Sequence, residues 1–362
     1  MSIKAGIITF HCVPNYGAVL QAYGLQQVLK TMCDTVEVID YRPKSLTAEY
    51  RAINFHSVIS VAGSLYSLPP HLRKTAKFAR FERKHMSLSG QSGLTAETLG
   101  TLDHDFAVLG SDQIWNSQIL GDIDPVYFGR LRWQKAPRIL SYAASIGKGQ
   151  LPEAEQHTFR KLLEDISAIS VREEEARQLI APLTDRPVEV VVDPTVLAGA
   201  ECFRPFVKPN KRGEYVLCYS LTGNPSTNVI AESAAKKLDL PLAEISGRRK
   251  GLRKPAHEVL YDAGPEEFVS LIANAAFVVT DSFHGTVFSL LFHRPFITIP
   301  HQTRGGRLLT LLDVCGLHER CCTQPDDAVV DAPIDWENSD RLLAQARENS
   351  LRFLQNALAQ QD

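Results

Sequence analysis

The sequence is poor in the local signatures that usually betray a nucleotide or metal enzyme. No G-x-G-x-x-G run follows a strand-like stretch and no Walker loop occurs, which excludes the two commonest glycine-rich phosphate cradles. The seven cysteines, at 12, 33, 202, 218, 315, 321 and 322, include no C-x-x-C pair. Odd in number and scattered, they fit reduced thiols better than a disulfide framework or a zinc site, and no metal is expected. No apolar run approaches the ~18 residues of a membrane span, and no signal-peptide core precedes the first strand pattern. The expected location is therefore the cytoplasm, with the inner face of the membrane as the alternative within it. Charge of one sign is lacking too. Thirty-nine basic against 41 acidic side chains leave a net charge of −2, so no whole-molecule field attracts nucleic acid.

What is present is an ordinary globular composition, 44% hydrophobic and 22% charged over 362 residues, enough for two cores. Strand-like runs at 3–10, 36–40, 106–110, 138–144, 168–171 and 188–193 are followed by a second series at 215–221, 243–246, 277–280 and 296–300. Helical patterns lie between them near 18–32, 153–166, 226–238, 265–275, 285–293, 305–315 and 339–360. Such alternation predicts an α/β architecture with parallel sheets, helices on both faces and ligands at the carboxyl ends of the strands. Pro205, Pro209, Asn210 and Gly213 cluster with Lys208, Lys211 and Arg212 at 198–213, which reads as an interdomain linker. The expected division is an N-terminal α/β domain over 1–200, a C-terminal one over 210–335 and a terminal helix over 336–362. Two basic stretches stand out. Residues 68–86 read as a peripheral contact with anionic membrane or, preferred, as a solvated helix with Phe78 and Phe81 packed inward. Arg248, Arg249, Lys250, Arg253 and Lys254 read as an exposed loop.

The richest stretch is 277–296. Phe277, Val278, Val279 and Thr280 form an apolar, β-branched run suited to a buried parallel strand. Asp281 to Gly285 make a polar turn, and Val287, Leu290 and Leu291 recur at helical spacing until Pro295 forbids continuation. Strand, tight turn and helix place His284 and Gly285 at a helix N-terminus, where unpaired N–H groups and the dipole favour an anion. Ser282 and Thr286 add hydroxyls, and His284 adds a titratable ring. The plainer reading makes Asp281 or Ser282 a simple N-cap. Asn15 and Gly17 enter the first long helix in a similar way. Gly110 ends a strand that delivers Ser111, Asp112, Gln113, Trp115 and Asn116, five hydrogen-bonding side chains, one of them aromatic, that suit a sugar's hydroxyls and ring face. Ser145 and Gly147 repeat that plan, and Arg172 follows another strand, with Glu174 and Glu175 after it as candidate ion-pair partners.

Thr280-Asp-Ser-Phe-His-Gly-Thr-Val-Phe-Ser-Leu290 resembles the signature of the polysaccharide pyruvyl transferase family. Asn15-Tyr-Gly-Ala-Val-Leu-Gln21, Gly110-Ser-Asp-Gln-Ile-Trp-Asn116, Ser141-Tyr-Ala-Ala-Ser-Ile-Gly147, Val171-Arg-Glu173 and Val192-Asp-Pro-Thr195 are similar to further motifs of that family. The resemblance implies two Rossmann-like doubly wound domains facing across a cleft, a GT-B-like arrangement. It also implies transfer of pyruvate from phosphoenolpyruvate, a co-substrate needing no cofactor, onto two hydroxyls of a sugar in a polysaccharide or its lipid-diphosphate-linked precursor. On this reading His284 is the acid that protonates the enol and Asp112 the base. Arg172, Ser282, Gly285, Thr286 and Arg307 hold the donor. Asn15, Gly17, Gln21, Ser111, Gln113, Trp115, Asn116 and Ser145 hold the acceptor. One departure matters: many family members carry arginine-leucine where this chain has Ser282-Phe283. Arg307, with Arg304 second, is expected to supply the missing cation. The rival readings are a nucleotide-sugar glycosyltransferase of the same architecture and a non-catalytic glycan-binding relative.

Overall fold

The computed structural model describes residues 2–49, 58–221, 223–246, 257–300 and 306–359; Arg304 and the basic stretch at 248–254 lie outside the described residues. The chain forms two compact units that are not consecutive in sequence. The first comprises Met1–Tyr50, Glu82–Ala198 and Leu343–Asp362, and the second Arg51–Phe81 and Gly199–Leu342. The expected linker at 198–213 therefore marks one crossing among several. The helix Val58–His85 starts in the second unit and ends in the first, and the last helix, Trp336–Ala359, crosses in the same sense.

The first unit is built on seven parallel strands: β1 (Lys4–Ile8), β2 (Thr35–Tyr41), β3 (Leu88–Gly93), β4 (Phe106–Leu109), β5 (Arg138–Ser141), β6 (Ile166–Val171) and β7 (Val188–Val190). Their spatial order is β3-β2-β1-β4-β5-β6-β7. The second unit has five: β8 (Val216–Tyr219), β9 (Leu242–Ile245), β10 (Glu258–Leu260), β11 (Phe277–Thr280) and β12 (Phe296–Thr298), in the order β10-β9-β8-β11-β12. All of their pairings are parallel too. Parallel strands need helical crossovers on both faces, so the central ones are buried on both sides. All four residues of β11 are buried. Phe277 and Val279 join Val216, Ile230 and Ile297 in the core of this unit, each contributing about 1.5–3 kcal/mol of burial.

In each sheet the first strand lies inside, and the order of connection reverses beside it. The reversal falls between β1 and β4 in one unit and between β8 and β11 in the other. Crossovers leave in opposite directions at such a point and open a crevice at the carboxyl ends of the strands. Every motif singled out in the sequence follows the carboxyl end of a strand. The basic stretch at 68–86 lies on the helix Val58–His85, with Phe78 and Phe81 each 2% exposed. Arg73 pairs with Asp262, and Lys77 with Glu267 at 2.7 Å, so part of its charge is met within its own unit. Among the described residues no helix is long and apolar enough to cross a membrane.

Candidate functional site

At the reversal in the second unit, the turn after β11 is hydrogen-bonded both within itself and to the neighbouring strands. Thr280 Oγ1 donates to Tyr219 O on β8 at 2.7 Å and accepts the Ser282 N–H at 3.0 Å. Ser282 caps the helix Phe283–Leu291, its hydroxyl accepting the Gly285 N–H at 3.3 Å. Thr286 Oγ1 reaches Ser282 O at 3.2 Å and Thr298 Oγ1 at 2.9 Å. A Cβ on Gly285 would come within 2.4 Å of Thr280 Oγ1, so the close approach of helix and strand requires glycine there. Ser282, Gly285 and Thr286, expected to hold a donor, thus spend these groups on fixing the turn. Their product is a rigid seat for His284, which is 9% exposed with its ring edge-on to Phe283, centroids 5.1 Å apart.

Asp281 binds this turn to its neighbour. Its carboxylate accepts the Ser220 hydroxyl at 2.7 Å, the Leu221 N–H at 2.6 Å and the Thr227 hydroxyl at 3.4 Å. Ser220 and Leu221 follow β8, and Thr227 stands in the first turn of the helix Pro225–Leu238, capped by Asn224. One carboxylate therefore ties the turn before the helix Phe283–Leu291 to the loop after β8 and to the first turn of the helix Pro225–Leu238. Arg307 stands in the first turn of the helix Gly306–Cys315, part-buried.

In the first unit, pairing continues past the ends of β4, β5 and β6 through the bridges Asp112↔Ala144 and Ala144↔Val171. That register brings Asp112, Ser145 and Arg172 side by side. Arg172, 4% exposed, lies 2.8 Å from Asp193, 3.6 Å from Glu173 and 3.8 Å from Asp112. Burial alone would lower its pKa, but the three carboxylates outweigh it and hold the guanidinium above the ordinary arginine value. Ser145 donates to Glu173, and Ser111 donates to Ala143 O at 3.0 Å. The expectation that Arg172 meets the donor must therefore be set against a guanidinium already facing three carboxylates, one of them Asp193, whose other oxygen accepts the N–H and hydroxyl of Thr195. Asp112 is the most accessible of the three, its side chain 13% exposed. Glu173 and Asp193 were not among the expected site residues. Glu173 stood in plain view beside Arg172, but nothing in the sequence marks it as the partner of Ser145.

Three of the expected acceptor contacts, Trp115, Gln21 and Asn116, are buried. Trp115, expected to offer a face to a sugar, is instead core: 2% exposed, stacked on Phe128 with centroids 5.3 Å apart, its indole N–H donating to Tyr127 O at 3.1 Å. Gln21 is fully buried and donates to Thr9 Oγ1, Phe10 O and Ala18 O. Asn116 is buried as well; it caps the turn Ser117–Leu120 and donates to Gln113 Oε1 at 2.8 Å. Gly147, with φ 65°, leaves room for that amide, since a Cβ would fall 1.9 Å from Gln113 Oε1. Asn15 caps the helix Tyr16–Leu29, accepting the N–H groups of Gly17 at 2.9 Å and Ala18 at 3.3 Å. Among the described residues no group of three or more His, Cys, Asp or Glu could hold a metal ion.

A family model described as polysaccharide pyruvyl transferase matches residues 15–303. No curated protein matches the chain. Among solved structures, the UDP-N-acetylglucosamine 2-epimerase from Rickettsia bellii is similar over 98% of this chain and 97% of its own, at 8% identity and a TM-score of 0.50. The UDP-GlcNAc 2-epimerase from Neisseria meningitidis, bound to UDP-GlcNAc, is similar over 99% of both chains, at 9% identity and a TM-score of 0.50. At such identities the likeness is one of fold, two α/β units each built on a parallel sheet.

Proposed function

The chain belongs to the polysaccharide pyruvyl transferase family, and from that premise we propose that it moves pyruvate from phosphoenolpyruvate onto two hydroxyls of one sugar, forming a cyclic ketal and releasing phosphate. In this reaction a proton adds to the methylene carbon of the enol, which becomes the ketal methyl. Two sugar oxygens bond to the neighbouring carbon as the phosphate oxygen leaves. One hydroxyl proton is in effect transferred to the methyl and the other departs with phosphate, so no oxidant or reductant is needed.

What carries the reading is the seat of His284. It is fixed by a turn bonded within itself and to the neighbouring strands at the reversal point of the second sheet, in the first turn of a helix whose dipole favours an anion. Histidine is suited to the acid, because it titrates near neutral pH. Asp112 is the base we assign on the acceptor side, being the accessible carboxylate of its cluster. Arg307 in its helix start is the cation we assign to the donor in place of the arginine that many relatives carry where Ser282 stands.

The test is mass spectrometry of free and lipid-linked oligosaccharides after incubation with phosphoenolpyruvate, with phosphate measured in parallel. The expected result is a product heavier by pyruvic acid less water, with phosphate released in equal amount. Sugar transfer from a nucleotide sugar with no response to phosphoenolpyruvate would overturn it.

A further inference from the structure

The reaction above makes no use of His11, the first residue of the string that leads from β1 to Asn15. Its ring is nevertheless fully buried and occupied at both nitrogens, with Nδ1 3.2 Å from Thr9 O and Nε2 3.0 Å from Asp40 Oδ1. Asp40, at the end of β2, also takes the Arg42 Nε at 2.6 Å. Arg42 continues to Glu82 at 3.1 Å, and Glu82 is itself buried. Four polar side chains thus run in line from the reversal point of the first sheet to the last turn of the helix Val58–His85.

We propose that His11 is a positioning residue of the acceptor crevice, acting through the chain His11–Asp40–Arg42–Glu82; this rests on the pyruvyl transfer reading. The loop from His11 to Asn15 is held on one side to β2, by His11 on Asp40 and by the Cys12 thiol 3.8 Å from Tyr41 O. On the other side Thr9 holds it to Ser111, at the end of β4. It ends at the cap of the helix Tyr16–Leu29. Buried ion pairs give little net stability over well-packed apolar residues, so three such pairs in line beside a crevice point to fixing one loop geometry. A displacement of about 1 Å in a positioning loop can cost up to 10²-fold in rate.

Arg42→Ala tests this without touching the loop, since the Arg42 side chain is 32% exposed and the variant is expected to fold. Rates are read by mass spectrometry with phosphoenolpyruvate and the best acceptor from a panel of methyl glycosides, alongside thermal melts. Arg42→Ala and His11→Leu should each lower kcat by about tenfold or more and raise the acceptor KM, leaving the phosphoenolpyruvate KM within about twofold. The double variant should be no worse than the poorer single one, as for residues acting in one network. If His11→Leu fails to fold, Arg42→Ala and Glu82→Gln carry the test. Native acceptor kinetics in the folded variants, whatever their melting temperature, would overturn the proposal. A wild-type protein that forms no ketal would instead overturn the reading on which it rests.

Discussion

Thr9 donates its hydroxyl to the carbonyl oxygen of Ser111 at 2.8 Å, and so ties the end of β1 to the end of β4 where the order of the first sheet reverses. The same hydroxyl accepts the Gln21 amide at 2.9 Å. Thr9→Val keeps the shape and removes both bonds, leaving a buried carbonyl and a buried amide each short of a partner. The expected loss is about 1–3 kcal/mol. It should appear in urea as a lower midpoint with an unchanged slope.

Arg172 offers a sharper contrast. Arg172→Met would leave Asp193, Glu173 and Asp112 together without their common counter-charge. Breaking a buried pair this way costs about 3–5 kcal/mol, and a large drop in melting temperature is expected. A residue that only binds the donor would leave the melt intact and raise the phosphoenolpyruvate KM.

That contrast shows what the sequence could and could not say. The strands it announced carry apolar, β-branched runs, most of them buried, although β7 is an exposed edge strand. The two it concealed, Leu88–Gly93 and Glu258–Leu260, are edge strands, paired on one side only and without such a run. The turns after β4 and β11 were legible because polar residues clustered just past apolar ones. Which of those residues face a crevice was not legible. Trp115 sits amid polar neighbours in sequence, yet its ring is packed against Phe128 and Phe159, 13 and 44 positions on. Arg172 looked like a cation in waiting because Asp193 is distant in sequence and adjacent only in the fold.

His284 should separate chemistry from folding. His284→Gln is expected to melt like the wild type and to bind phosphoenolpyruvate. Its turnover should fall by at least about 10²-fold, the scale of general acid catalysis. Retained turnover with a weakened donor KM would leave His284 an anion ligand and move the acid elsewhere.

Gly285→Ala pits helix propensity against space. Alanine would gain up to about 1 kcal/mol as a helix former. Its Cβ, however, would press on Thr280 Oγ1, which Tyr219 O and the Ser282 N–H hold in place. Overpacking of this sort costs about 1–3 kcal/mol. A net loss of stability together with slower turnover is expected, read by denaturant titration and ketal formation.

Asp40 predicts a signature in acid. Burial works against its charge, but the hydrogen bond from His11 and the Arg42 guanidinium outweigh burial and bring its pKa down to about 2. A lowered carboxylate stabilises the fold above its unfolded value of about 3.9 and loses that contribution as pH falls through about 2. Wild-type stability should therefore shed about 2 kcal/mol across that window. Asp40→Asn, weaker at neutral pH, should lack that part of the slope.

The chain passes between its two units after Tyr50, Phe81, Ala198 and Leu342, and this bears on how such a protein can be inherited. No single recombination breakpoint delivers either unit whole. A junction in 198–213 would import Asp262 and Glu267 while leaving behind Arg73 and Lys77, whose charges they meet. A lineage that traded its C-terminal half would receive β8 to β12 without their own stretch of the long helix, so the two ends of the gene are bound to travel together.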